Sequence, residues 1–377
     1  MTSSPSPVAD PPAEGSGPTI GVEEEFVLAD PETGAPWLDN VAVAAAGREL
    51  GIDLQLELSR CQIETATPVC ASIEELRAQL RRTRSRAAAA AACAGAVLLA
   101  TAVPPAGPPP RLITDQERYH SLLGNFGLLG EQVICGCHVH VAIPDRDTGV
   151  QVSNHLRPWL PVLLALTANS PVAAGRDTGY ASWRHVLWMR WPNAGPPPVF
   201  ESAEHYDAVI ATMLEREVIL DKAMLYWDMR LSAHLPTIEI RIGDTQATVD
   251  EAVLLATLVR GLVVTALDPT RQGRQELDVE PEVLRAAYWR AARDGVTGRA
   301  VDTVSGRLVP AAHPIFRLLE HVRPALERTG DFCAAREAVQ RVLATGNGAA
   351  RQRATLEAGT LADVVRLVTC APEPDMS

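Results

Sequence analysis

Near the N-terminus, Gly21-Val22-Glu23-Glu24-Glu25-Phe26-Val27-Leu28 sets three consecutive carboxylates between apolar residues. If the stretch is a strand, Glu23 and Glu25 share one face and Glu24 points away from them. Two carboxylates about 7 Å apart on one pleated face repel and raise each other's pKa. A hard divalent cation such as Mg²⁺ removes that cost, because it prefers carboxylate oxygens. The alternative is a solvated edge strand with an acidic outer face. Glu57 and Glu64 form a second pair, seven positions apart. In one straight strand they would face opposite sides, so they converge only if the chain turns or bulges near Ser59-Arg60.

His138 and His140 lie two apart in Gly136-Cys137-His138-Val139-His140-Val141. They share a face, either as a chelating pair or as a hydrogen-bonded pair in a sheet. In Thr237-Ile238-Glu239-Ile240-Arg241-Ile242, Glu239 and Arg241 face one side and three isoleucines the core. That is a simple ion pair, or a metal ligand beside a phosphate clamp. One such segment is weak; four together point to a single centre, since burying several carboxylates is unfavourable without cations. Metal ions with phosphate-binding arginines suggest ATP chemistry. No Gly-rich lysine loop is present and lysine is nearly absent, so arginine must meet the phosphates.

These segments need a sheet to hold them. Strands are expected at 19–29, 53–58, 62–67, 97–103, 133–143, 225–231 and 237–242. Helices are expected at 40–50, from the Ser72/Glu75 capping box to about 94, at 115–130, at 149–168 with a bend at Pro158 and Pro161, at 202–219 and at 249–267. Beyond 280 the pattern is helical, broken near 295–310 and 346–349. Residues 169–200 have no periodicity and many Gly, Pro, Arg and Trp residues, which marks a functional loop. There Arg176 and Arg184 either meet a substrate carboxylate or salt-bridge Asp177 or nearby acids. Strands early and helices late imply α+β with a mainly antiparallel sheet and a helical C-terminal third.

The chain has 377 residues, 47% hydrophobic and 21% charged, with a formal charge of −12. This profile is that of a soluble globular protein, and the charge argues against nucleic acid or an anionic membrane as partner. Seven cysteines fit no zinc or disulfide framework, so reduced thiols in a cytoplasmic setting are expected. No apolar run reaches membrane-spanning length. Residues 1–18 read as a disordered tail, 19–370 as one catalytic domain and 371–377 as a loose end. The helical third offers apolar surface for a possible homodimer.

Five ordered motifs resemble the type 2 glutamate–cysteine ligases, or carboxylate–amine ligases. They are Gly21–Phe26, Glu57…Glu64-Thr65-Ala66-Thr67-Pro68-Val69-Cys70, Cys135–Val141, Arg176-Asp177-Thr178-Gly179-Tyr180-Ala181-Ser182, and Trp227-Asp228-Met229-Arg230…Thr237–Arg241. The resemblance implies a glutamine-synthetase-like fold, a curved antiparallel sheet holding Mg²⁺ and ATP. It implies metal ligation by Glu23, Glu25, Glu57, Glu64, His138 and Glu239, with Arg241, and with it Arg230, at the transferring phosphate. Substrate contacts are expected from Arg176, Arg184, Tyr180 and His140. The implied reaction is ATP-dependent amide formation through an acyl phosphate, by default between glutamate and an amine such as cysteine. Alternatives are an amide ligase of specialised metabolism, a catalytically silent nucleotide-binding homologue, and a metal-dependent hydrolase. Two stretches depart from the family, Leu231–Pro236 where Pro and Gly are usual, and Cys137 where a bulkier or hydroxyl residue is usual; both are expected near the site.

Overall fold

A computed structural model describes residues 17–127, 132–268 and 279–372. Most of the expected tail, and the last five residues, lie outside that range. At the start of the described residues the Pro18 carbonyl accepts a 3.0 Å bond from Arg260 Nε.

The chain runs β1 (Ile20–Ala29), α1 (Asn40–Glu49), β2 (Gln55–Leu56), β3 (Gln62–Ala66), α2 (Ile73–Cys93), β4 (Val97–Leu99), α3 (Glu117–Phe126) and β5 (Gly136–Ala142). Next come α4 (Arg146–Leu156), α5 (Leu160–Thr167), β6 (Val172–Ala173), β7 (Arg176–Asp177), α6 (Trp183–Trp188), α7 (Ala203–Glu215), β8 (Met229–Leu231), β9 (Thr237–Asp244) and α8 (Val249–Ala266). The final third holds α9 (Pro281–Asp294), β10 (Arg299–Val301), β11 (Leu308–Pro310), α10 (Ala312–Thr329), α11 (Phe332–Thr345), α12 (Gly348–Ala358), α13 (Leu361–Val368) and β12 (Thr369–Cys370). The expected α+β class is what forms. The main sheet runs β12-β4-β1-β5-β9-β8, with β3 on β1 and β2 on β3, and every pairing is antiparallel.

Strand alternation divides the sheet into two faces. Val139, Val141, Ile238, Ile240 and Ile242 point into the main core, against helices that include α8. The buried side chains run almost the whole length of α8, as its apolar sequence requires. Ser72 caps α2 by accepting from Glu75 N at 3.1 Å, and the Glu75 carboxylate returns to Ala71 N at 2.8 Å. Pro158 interrupts the helical run at 157–159 and separates α4 from α5, as its missing N–H dictates.

Three expected strands are shorter than their patterns. After Leu56 the carbonyls of Glu57 and Leu58 bond Thr114 instead of continuing a ladder. After Leu99 the backbone turns to Val368 and Asn169. Before Met229 the carbonyls of Ala223 and Leu225 are taken by Arg230. The region 169–200, read as a loop, contains the β6–β7 hairpin and α6. The break near 295–310 is the β10–β11 hairpin.

Glu24 is fully buried on the core side of β1. Arg84 on α2 meets it with Nε–Oε2 at 2.8 Å and Nη2–Oε1 at 2.5 Å, and also donates to Gln246 O at 2.9 Å. Removing one partner of such a pair leaves a bare buried charge. Arg84→Met should therefore cost about 3–5 kcal/mol in urea unfolding, while Glu24→Met/Arg84→Met together should recover most of that loss.

Candidate active site

The opposite face of the sheet borders a cavity of about 350 Å³, and it gathers Glu23, Glu25, Glu57, Glu64, His138, Arg184, Arg230 and Arg241. Each arrives by a local rule. Glu23 and Glu25 alternate with buried Val22, Glu24 and Phe26 along β1. The chain turns at 59–62, as the odd spacing of Glu57 and Glu64 requires. Gln62 N bonds Ser59 O at 3.0 Å, and buried Asn40 Nδ2 reaches Gln62 O at 3.1 Å. Register then sets Glu25 beside Glu64, and Glu23 beside His138. Between β5 and β9 the register shifts at His138. Cys137 faces Gly243 and Val139 faces Ile240, so β9 carries an extra residue there. This bulge brings Arg241 alongside the imidazole, and such irregularities re-aim side chains.

Among the described residues three groups of potential metal ligands result, each with one donor atom per residue and all donors within 4.8 Å: Glu23–His140–Glu239, Glu23–Glu64–His138 and Glu25–Glu57–Glu64. Neither ring nitrogen of His138 makes a hydrogen bond, although both are buried. They stand 3.5 Å from Glu23 and 3.8 Å from Glu25. His140 Nδ1 is 3.1 Å from Thr237 Oγ1, leaving Nε2 aimed at Glu23 at 3.4 Å. With one ring nitrogen oriented by Thr237, the other is left facing the carboxylate cluster, where a ligand could meet it. The sequence had set His140 with the substrate contacts; its geometry is that of the carboxylate cluster.

The electrostatics are those of crowded acids. Burial first, and Glu25 second, push Glu57 up to about 8. Burial and then Glu57, Glu23 and Glu25 hold Glu64 well above the ordinary carboxylate range. Burial and Arg241 keep His138 below its usual value, hence neutral. Glu239 behaves oppositely. Burial pushes it up, but Arg241 and Arg230 outweigh that and keep it ionised. Arg230 grips it with Nε–Oε2 at 2.7 Å and Nη2–Oε1 at 3.2 Å, and Arg241 Nη1 bonds Oε1.

Facing the acids is an aromatic and cationic wall. The guanidinium groups of Arg184 and Arg241 both lie over one indole, Trp188, at 5.5 and 5.8 Å from its ring centre. Trp188 and Trp191 both pack on Tyr226. Buried Asp228, pushed up to about 7 by burial against the pull of Arg184, lies behind them. No periodicity signalled Trp188, Trp191 or Tyr226, though the tryptophan density of 183–191 was a visible cue.

Arg176 and Tyr180 fall outside this cavity. Arg176 lines a neighbouring cavity of about 230 Å³ with Arg190, Trp183 and Thr178. Tyr180 packs on Trp183. Asp177 pairs with Arg353, not with Arg176 or Arg184. Cys137 also lies away from the site, since its side chain is buried in the core on the opposite face. Leu231–His234 line a third cavity of about 150 Å³, which shares Ala223 and Arg230 with the acidic one. All seven cysteines are free thiols, and among the described residues no helix is long and apolar enough to cross a membrane.

The chain is similar to known proteins along nearly its whole length. The sequence model of glutamate-cysteine ligase family 2 matches residues 19–366. A Nocardia farcinica protein provisionally named glutamate–cysteine ligase 2-1 is 53% identical over 367 residues, covering 95% of each chain. A Mycolicibacterium vanbaalenii protein provisionally named glutamate–cysteine ligase 2-2 is 52% identical over 337 residues, covering 89% of this chain and 92% of its own. Two solved structures share the fold. A bifunctional glutathione synthetase from Pasteurella multocida superposes with a TM-score of 0.69 at 16% identity, over 94% of this chain; the chain spans only 52% of that longer protein. The glutamate–cysteine ligase of Francisella tularensis, solved with AMP, gives 0.67 at 12% identity, over 93% of this chain and 87% of its own. The fold is thus that of the glutamine-synthetase-like ligases, and the chain belongs to glutamate–cysteine ligase family 2, as an ATP-dependent carbon–nitrogen ligase.

Proposed function

We propose that the acidic cavity joins a small-molecule carboxylate to an amine, with Mg²⁺ ions held by Glu23, Glu25, Glu57, Glu64, His138, His140 and Glu239. The observation that carries this reading is the convergence of those side chains from four separated segments on one sheet face. The donor set fits the ion: carboxylate oxygens predominate, and His138 has two buried ring nitrogens without hydrogen bonds. Bound there, Mg²⁺ neutralises phosphate charge and orients the nucleotide. Five carboxylates face three guanidinium groups, so ions that neutralise the acids leave the arginines free for an anion. Arg241, with an unpartnered buried Nε, is placed to meet charge on the transferring phosphoryl group. Arg230 fastens Glu239 and two carbonyls, and serves chiefly to orient.

In this scheme a substrate carboxylate oxygen attacks the γ-phosphorus, and the bond to the β-phosphate oxygen breaks, releasing ADP. The amine nitrogen then attacks the acyl carbon, loses a proton and expels phosphate. Glutamate with cysteine is the first pair to test. A different amine or acid is favoured by one observation: Leu231–His234, where the sequence departs from the family, line the cavity adjoining Arg230.

ADP release measured over a panel of acids and amines, glutamate and cysteine included, tests the reading. Glu23→Gln and Glu239→Gln should each lose about 10²–10³ in turnover. Near-normal ADP release from either would sink the scheme. Cation binding should also depend on pH. With its pKa near 8, Glu57 holds a proton at neutral pH without a cation and must release it on binding, and Glu64 is shifted in the same direction. Mn²⁺ affinity, followed by calorimetry, should therefore rise as pH climbs toward 8. The raised pKa of Glu57 also means that its contribution to the stability of the cation-free protein is lost as pH climbs from about 4.3 to about 8. Mn²⁺ should thus raise Tm more at pH 8 than at pH 6; an equal or smaller shift at pH 8 would count against metal ligation by these acids.

A further inference from the structure

Gly136 begins β5 at the centre of the site. Its φ lies outside the left-handed region, so backbone conformation is not what calls for glycine. Space is. A Cβ added there would stand 2.6 Å from Arg184 Nη2 and 2.6 Å from His138 Nε2. The two cationic-capable side chains meet over the one residue of the strand that has no side chain.

The placement of Arg184 is built, not incidental. Its side chain is among the largest fully enclosed in the molecule, and it is 2% exposed. Nη2 donates to Arg241 O at 3.2 Å and Nη1 to Ile242 O at 3.4 Å, while the buried Nε has no hydrogen-bond partner. Its backbone is tied by Asp244, the register partner of Gly136. The Asp244 carboxylate accepts from Ser170 Oγ at 2.7 Å, Ser182 Oγ at 2.8 Å and Asn169 N at 2.8 Å. Ser170 Oγ in turn accepts from Arg184 N at 3.0 Å, and Ser182 caps α6 through His185 N. The circuit starts opposite Gly136, runs through Asp244 and the loop, and returns in the Arg184 guanidinium above Gly136. Meanwhile Gly136 N donates to Glu25 Oε2 at 2.6 Å.

We infer that Gly136 is a positioning residue of the reaction: its bare Cα leaves the space in which the Arg184 guanidinium and the His138 imidazole converge, so that an anion held at the cation group of His138 also meets Arg184. Its catalytic consequence rests on the ligase reading; its geometric consequence does not. A methyl group there displaces two side-chain tips and no backbone, so the fold tolerates it while the site does not.

The test compares wild type, Gly136→Ala, Arg184→Lys, the double variant, and Gly21→Ala. Gly21 is a strand glycine with open space, its nearest neighbour to a Cβ being Thr67 Oγ1 at 3.9 Å. Gly136→Ala should keep Tm within about 3 °C of wild type. It should weaken Mn²⁺ binding, read by paramagnetic relaxation of water, about tenfold or more through displacement of His138. It should lower kcat for ADP release by about 10²-fold, with far less change in the KM of the acid. Because the glycine acts partly through Arg184, the double variant should lose no more kcat than the product of the single losses divided by about ten. Gly21→Ala should match wild type throughout. A Gly136→Ala protein with Mn²⁺ affinity within about threefold of wild type, one without a cooperative melt, or fully multiplicative kcat losses would each overturn the assignment. If wild type binds Mn²⁺ but releases no ADP with any acid and amine, the ligase reading fails, and the Mn²⁺ comparison alone decides the role of Gly136.

Discussion

Like charges crowded into a low-dielectric face govern this molecule. Glu23, Glu25, Glu57 and Glu64 border one cavity, Glu239 joins them through Glu23 and His140, and each has lost much of its water. Without counter-charge such a cluster is unfavourable, because every ionised acid raises the proton affinity of the next. The protein deals with its members in two ways. Glu239 is held ionised by Arg230 and Arg241, whereas burial and neighbouring acids raise the proton affinity of Glu57 and Glu64. The first is a fixed ion pair; the second is a standing demand for cations, which divalent ions would meet by displacing protons.

The sheet can carry that demand because its other face is strongly stabilised. Val139, Val141 and the three isoleucines of β9 are buried against helices, and α8 is apolar on almost every side. The middle glutamate of the first motif belongs to this inner face, where Arg84 answers it. One run of three acidic residues thus does two jobs: Glu23 and Glu25 are directed at the cavity, and Glu24 fastens β1 to α2 and to the chain after β9. A buried pair of this kind is weak as a source of stability but exacting about register, since a one-residue slip of β1 would strand both charges.

Opposite the acids, two guanidinium groups lie over Trp188, and their positions come from different sources. Arg241 is placed by the extra residue of β9 beside His138, Arg184 by the Asp244–Ser170–Ser182 knot and by the empty space at Gly136. Planar, permanently charged forks suit the recognition of phosphate and carboxylate oxygens. The near absence of lysine from the chain leaves that work to arginine.

Strand alternation is a local property, so the sequence alone determined which carboxylates and histidines share a face, that 59–62 must turn, and that the isoleucines of β9 point inward. It also carried the family, through five motifs in order. Tertiary pairing decided the rest. Arg84 is sixty residues from Glu24, and Asp244 more than sixty from Ser182, so no period links them. The parting of Arg176 from Arg184 into two cavities depends on α6 presenting Trp183 and Leu187 to one and Arg184 and Trp188 to the other. His140 joined the carboxylates because Thr237 turned its ring, a contact across strands that only the β5–β9 register creates. Side-chain period is written residue by residue; convergence of distant segments depends on which strands pair and where the ladder shifts, and that is settled only when the whole chain packs.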